Sequence, residues 1–233
     1  MPLLNIFKRK RPKEAIIIAI HGFGKRRTDE YTPLVERLSS RYDLRLPNLF
    51  DQRFANDNIW HNWVSRAEEE IIKAKNEKRE IILIGYSMGG VIASYLASKF
   101  AIKKLILLAP AFEYLKMTTA TGYAFGPKYP EDDKYVSLPT EYLTTFMDVV
   151  NNCRSGIDNV TCPTLFIHCI GDTLIPYTVS LKYYRKLKIK DKQCVLIADG
   201  SHRLLDDPVS SLVVLELIES FIEGKIAVKD WRY

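Results

Sequence analysis

A chain of 233 residues that is 47% hydrophobic is long enough to bury a sizeable core as one domain, roughly 70 to 75% of its unfolded surface, so no disulfide or metal staple is needed. The net charge of +6 is local: residues 1–27 carry eight basic side chains against Glu14 alone, which leaves the rest of the chain at −1. That distribution excludes the groove-wide basic footprint of a nucleic-acid-binding domain.

The basic run Lys8–Lys13 follows Leu3, Leu4, Ile6 and Phe7, and the combination is a candidate for weak peripheral contact with an anionic membrane; the plainer reading is a solvated arm. Ala15–Ile20 then reads as a strand, ending in His21-Gly22-Phe23-Gly24. A helix near Tyr31–Arg41, a strand near Asp43–Pro47 and a helix near His61–Lys78 follow. The next apolar run, Glu80–Gly85, leads through Tyr86-Ser87-Met88-Gly89-Gly90 into a helix over Met88–Phe100, and a strand over Lys104–Ala109 comes after it. Strands near Thr164–Cys169 and Gln193–Ala198 alternate with helices near Thr178–Leu187 and Pro208–Glu223. The pattern predicts an α/β fold, a mostly parallel sheet with helices on both faces, in a single domain over residues 1–233 without internal repeats.

One segment breaks the alternation. Residues 111–160, a mixture of loop and short helix rich in tyrosine and phenylalanine, are expected to form an inserted cap above the carboxyl ends of the strands. Phe112, Met117, Tyr142 and Met147 are the candidates for lining a substrate pocket, while most of the segment's rings are expected to form the cap's own small core.

The chemistry is concentrated at three strand ends. Gly85-Tyr86-Ser87-Met88-Gly89 sets a serine on a sharp strand-to-helix turn, where glycines two before and two after it make room for a strained backbone. A serine there needs a general base and an acid that orients it. Asp172 follows the strand Thr164–Cys169, and His202 follows the strand Gln193–Ala198 in a turn-rich loop, giving the chain order serine, acid, histidine. Asp199 and Asp206 are rival acids close to His202, but an acid taken from a separate strand end fixes the imidazole from outside, which favours Asp172.

These pieces resemble the α/β-hydrolase superfamily, in particular its small bacterial carboxylesterases and monoacylglycerol lipases. The matching motifs are His21-Gly22-Phe23-Gly24, Gly85 to Gly90, Cys162-Pro163-Thr164 through Gly171-Asp172 with Ile175-Pro176, and Ser201-His202, and they span nearly the whole chain. The resemblance implies an oxyanion hole made by the backbone N–H groups of Phe23 and Met88. It implies hydrolysis of short to medium acyl esters or monoacylglycerols through an acyl-enzyme. Thioester hydrolysis, carbon–carbon bond cleavage on the same fold and a non-catalytic ligand-binding homologue are the alternatives. The chain departs from the family pattern in reading Gly200-Ser201-His202 where Ser-Gly-His is usual, and in a shortened N-terminal strand region.

Other constellations fail. A phosphate loop at Gly22-Phe23-Gly24-Lys25 would need glycine at Ala19 and serine or threonine at Arg26. His21, His61, His168 and His202 have no metal-ligand spacing beyond the three residues above, so neither metal nor cofactor is expected; His168 reads as a satisfied core residue and His21 as an organiser of its loop. Cys153, Cys162, Cys169 and Cys194 form no C-x-x-C pair, and no signal peptide or long apolar span precedes them, which predicts reduced thiols and a cytoplasmic location.

Overall fold

The computed structural model describes residues 15–24, 27–51, 57–113 and 140–226. Within them lie six strands, β1 (Ile16–Ile20), β2 (Asp43–Arg45), β3 (Ile81–Tyr86), β4 (Lys104–Leu108), β5 (Thr164–Cys169) and β6 (Lys192–Ile197). All pair in parallel, in the order β2-β1-β3-β4-β5-β6. The helices are α1 (Thr32–Leu38), α2 (Trp60–Asn76), α3 (Met88–Ala97), α4 (Thr140–Cys153), α5 (Tyr177–Lys186) and α6 (Ser211–Ile222).

The central strands β1, β3, β4 and β5 are largely apolar runs because both faces of the sheet are covered there. Ile16, Ile18, Ile20, Leu83, Leu105, Leu107 and Phe166 point to the layer that holds α2, α3, α4 and α5. Their alternate neighbours, Ile17, Ala19, Ile82, Ile84, Ile106, Leu108, Leu165 and Ile167, meet α1 and α6. Each such aliphatic side chain contributes about 1.5 to 3 kcal/mol by leaving water. The edge strand β2 is three residues long and carries charges: Asp43 bonds Arg79 at 2.8 Å and Arg45 bonds Glu77 at 2.5 Å, which discourages pairing with another chain.

Register brings the carboxyl ends of the central strands to one edge. Ile20 is opposite Gly85, Tyr86 opposite Leu108, and Cys169 opposite Ile197. The chain passes from β1 outward to β2 and then returns to the other side of β1 for β3, so the order reverses between β1 and β3. A crevice opens at such a switch point.

The described part of the 111–160 segment differs from its expectation. Thr140–Cys153 is a continuous 14-residue helix, and Tyr142, Phe146, Val149, Val150 and Cys153 enter the same buried cluster as α2 and α3. Tyr142 packs on Phe50 and Trp63, and Phe146 on Phe23, so these rings extend the main core and do not build a separate one. The N-terminal arm and residues 114–139, including Met117, lie outside the described residues.

Candidate active site

Ser87 stands between the last residue of β3 and the first of α3 with φ 53° and ψ −117°, a conformation that costs a non-glycine residue about 1 to 3 kcal/mol. Its surroundings hold it there. The Ser87 amide donates to Leu108 O at 2.9 Å, and Ser87 O accepts from the amides of Gly90 and Ala111, both at 3.0 Å. The glycines flanking the turn are required by close approach: a Cβ at Gly89 would lie 1.9 Å from Ile20 O, and one at Gly85 would lie 2.4 Å from Gly89 O. The turn is therefore wedged against the end of β1.

That contact also brings the loop after β1 to the serine. A Cβ on Gly22 would sit 3.2 Å from Ser87 Cβ, while the Gly22 amide donates to Glu30 Oε1 at 2.7 Å. His21 is fully buried and accepts the Leu49 amide on Nε2 at 3.0 Å, which leaves the ring proton on Nδ1 to donate to Gly22 O at 2.7 Å. His21 thus organises its loop, as the sequence suggests, and it does so by tying the loop to Leu49. Phe23 stacks on Phe146 at 5.2 Å. Met88 is the first residue of α3, a position whose N–H has no carbonyl partner within the helix.

Asp172 ends the tight turn after β5, with its amide bonded to Cys169 O at 3.2 Å, and its side chain is completely buried. The Leu174 and Ile175 amides donate to Oδ1 at 2.8 and 2.9 Å, and His202 Nδ1 and His168 Nε2 donate to Oδ2 at 2.7 and 3.0 Å. Burial by itself would raise this carboxyl, but the His168 and His202 donors and the Ile175 amide outweigh it and hold Asp172 well below the usual carboxylate range. The acid is locked as an acceptor.

The loops carrying Asp172 and His202 meet at their glycines: a Cβ on Gly171 would lie 2.6 Å from Gly200 O. Gly200 itself has φ +109° and packs against Cys169 Sγ and Ser210, so only glycine suits it. Asp207 fastens the same loop by accepting the Ser201 and Val209 amides, each at 2.9 Å. His202 then lies against Tyr86, with ring centroids 5.5 Å apart and 23° between planes, and the Tyr86 hydroxyl donates to His202 O. Because Tyr86 precedes Ser87, this stacking carries the imidazole to the Ser87 turn. Among the described residues no hydrogen bond joins Ser87 Oγ to the imidazole, a contact that in many hydrolases tightens only when substrate is engaged. Of the rival acids, Asp199 is exposed and Asp206 pairs with Arg203 at 3.7 Å.

A family model described as the alpha/beta hydrolase fold matches residues 15–136, more than half of the chain. The chain belongs to the α/β-hydrolase family. A second model, described as serine aminopeptidase, S33, matches residues 127–209 of this α/β-hydrolase. A Mycoplasma pneumoniae protein whose name carries an esterase/lipase assignment is 24% identical over 236 residues, covering 84% of each chain. A thermostable monoacylglycerol lipase from a Bacillus species is 22% identical over 224 residues, covering 88% of this chain and 89% of its own. Among solved structures, the monoacylglycerol lipase of Paleococcus ferrophilus superposes with a TM-score of 0.74 at 15% identity, over 92% of this chain and 96% of that one.

The candidate pocket residues of this α/β-hydrolase fall in different places. Phe112 is fully buried with its ring stacked on Tyr183 at 4.3 Å. Tyr142 is also buried and donates its hydroxyl to Asp51 O at 3.2 Å, whereas Met147 is half-buried beside the core. Among the described residues no group of three His, Cys, Asp or Glu side chains is placed to hold a metal ion, and no helix is long and apolar enough to cross a membrane. The participant that the sequence leaves unrecognised is His168. It is a satisfied core residue, as expected, but one of its partners is Asp172.

Proposed function

We propose that this α/β-hydrolase is a serine ester hydrolase acting on short to medium acyl carboxylic esters or monoacylglycerols, with Ser87 as nucleophile, His202 as general base and Asp172 as the orienting acid. The observation that carries the reading is the 2.7 Å bond from His202 Nδ1 to a buried Asp172 beside the strained Ser87 turn. With its proton on Nδ1, the imidazole has its lone pair on Nε2, where it takes the Ser87 hydroxyl proton as Oγ attacks the ester carbonyl. The Phe23 and Met88 N–H groups receive the oxyanion. Collapse expels the alcohol, which takes the proton back from His202, and leaves an acyl-Ser87 ester; water activated by the same imidazole then releases the acid.

The substrate class draws support from the names of the M. pneumoniae and Bacillus relatives, which match across more than four fifths of the chain. We take residues 1–233 as one hydrolase domain with an inserted cap at about 111–160, whose buried aromatic helix α4 adjoins Phe23. A cytoplasmic location accords with four cysteines that are all unpaired, three of them buried.

A fluorophosphonate probe together with a chain-length series of chromogenic esters and thioesters tests the reading. Wild type is expected to be labelled at Ser87 and to turn over esters ahead of thioesters. Absence of labelling would favour a non-catalytic binding protein, and a preference for thioesters would reassign the substrate class.

A further inference from the structure

Asp172 Oδ2 serves two imidazoles. His202 approaches it from the loop after β6, and His168 approaches from within β5, with no exposed surface of its own. His168 Nε2 also lies 2.9 Å from Ile175 O, so both of its neighbours are acceptors and the ring must carry its proton there. His168 Nδ1 is left to accept the hydroxyl of Ser180, a fully buried α5 residue 2.7 Å away. Ser180, His168, Asp172 and His202 therefore form one continuous hydrogen-bonded series in which both imidazoles donate to the Asp172 carboxylate, linking the buried face of α5 to the imidazole beside Ser87. A core histidine needed only for packing would not have to aim a donor at the acid. A leucine would fill the space.

We propose that His168 is a positioning residue for the hydrolytic centre: its Nε2–H, anchored by Ser180, fixes the Asp172 carboxylate so that Oδ2 stays in line with His202 Nδ1. Without that donor the two backbone amides hold only Oδ1, and the carboxylate can rotate about its own axis toward other donors, taking the His202 ring with it. The groups that face the pair are Ser180 from α5, His202 from the β6 loop, and the Leu174 and Ile175 amides of its own loop. This inference rests on the ester-hydrolase reading for its kinetic consequence, though the geometry it assigns to His202 can be read without turnover.

The test compares two amides. In His168→Gln the side-chain NH2 reaches the place of Nε2 and can still donate to Asp172, whereas in His168→Asn it reaches only the place of Nδ1, near Ser180. Asn is one methylene shorter than Gln and leaves the larger cavity at this buried position, so His168→Leu, which fills the space without a donor, is the packing control: it is expected to lose rate as His168→Asn does, and a rate in His168→Leu like that of His168→Gln overturns the proposal. With rates normalised to fluorophosphonate-titrated active sites, His168→Asn is expected to lose about tenfold to a hundredfold in kcat with KM within about twofold of wild type, and His168→Gln to stay within about threefold in kcat. Equal kcat in the two variants, whether equally impaired or equally intact, or a greater loss in His168→Gln, overturns the proposal.

The proton resonance of the His202 Nδ1–H to Asp172 bond, followed by NMR in the same variants, supplies the arm that does not need catalysis. It should be retained in His168→Gln and shifted or lost in His168→Asn; the same signal in both variants overturns the positioning role. If wild type neither labels nor turns over esters, the ester-hydrolase reading fails, and this resonance still decides whether His168 positions the pair.

Discussion

Asp172 and Phe23 follow the carboxyl ends of β5 and β1 on the same edge of the sheet and are held by opposite means. Every oxygen lone pair of Asp172 that the fold can reach is met by a donor from a fixed place, two amides on Oδ1 and two imidazoles on Oδ2. Phe23 is held by rings: Phe146, Phe50 and Trp63 lie 5.2, 6.1 and 6.2 Å from it. Hydrogen bonds are directional, so the acid side sets angles within narrow limits; ring packing is set by area and shape, so the aromatic side fixes volume and tolerates tilt. Substitutions on the acid side should therefore damage rate, and those on the aromatic side should damage stability first.

The sharpest break tests the hydroxyl between the two sides. Ser87→Ala should lower ester kcat by a factor on the order of a million, the scale set by nucleophile removal in a serine protease, while circular dichroism and melting stay close to wild type. Retained turnover in that variant would remove the nucleophile from Ser87. Asp172→Asn is next, with a loss on the order of ten-thousandfold by the same precedent, because an amide in place of Oδ2 can no longer hold the proton on His202 Nδ1. If Asp199→Asn were the crippled variant and Asp172→Asn the active one, the acid would be misassigned.

Asp172 should also leave a mark on the pH dependence of stability. Its carboxyl is held below the ordinary value of about 3.9, so the folded state keeps it ionised when the unfolded chain has begun to bind a proton. Its contribution is then fully present above that value and is lost as the pH falls toward the lower folded value. The gap in melting temperature between wild type and Asp172→Asn should narrow from about pH 6 to about pH 3. A gap that widens in acid would mean that the carboxylate is not stabilised by its donors.

On the aromatic side, Phe146→Ala removes a ring that is 6% exposed and should cost about 3 to 5 kcal/mol of stability in chemical denaturation. Rate per titrated active site should change far less than in Asp172→Asn; an equal loss would erase the contrast between the two sides. The smallest expected effect is that of Tyr86→Phe, which keeps the ring on His202 but deletes the hydroxyl bonded to His202 O. A cost of about 0.5 to 1.5 kcal/mol in stability, with the ester rate largely kept, is expected.

The regular layers are plain in the amino-acid order. Ile16–Ile20, Ile81–Tyr86, Lys104–Leu108 and Thr164–Cys169 are strands bounded within a residue or so of their apolar runs, because a parallel strand covered on both faces has few polar positions to blur its limits, His168 being the interior exception. Helix α4 is less plain. Tyr142, Phe146, Val149, Val150 and Cys153 do recur at helical spacing, but they follow a long aromatic stretch without periodicity, and their partners Phe50 and Trp63 lie some eighty to ninety residues earlier in the chain.

The amino-acid order by itself determined the alternating α/β plan, the glycines that admit a strained serine, and the arrival of Ser87, Asp172 and His202 at strand ends. Only tertiary structure decided which carboxylate meets His202 and what else that carboxylate holds. His168 and Asp172 are four residues apart, a separation of about 13 Å in an extended strand, and they touch at 3.0 Å because the turn after Cys169 folds the chain back on itself. Spacing along a chain fixes which side chains are available, but hydrogen bonds are decided by distances of a few ångströms that turns and packed neighbours set.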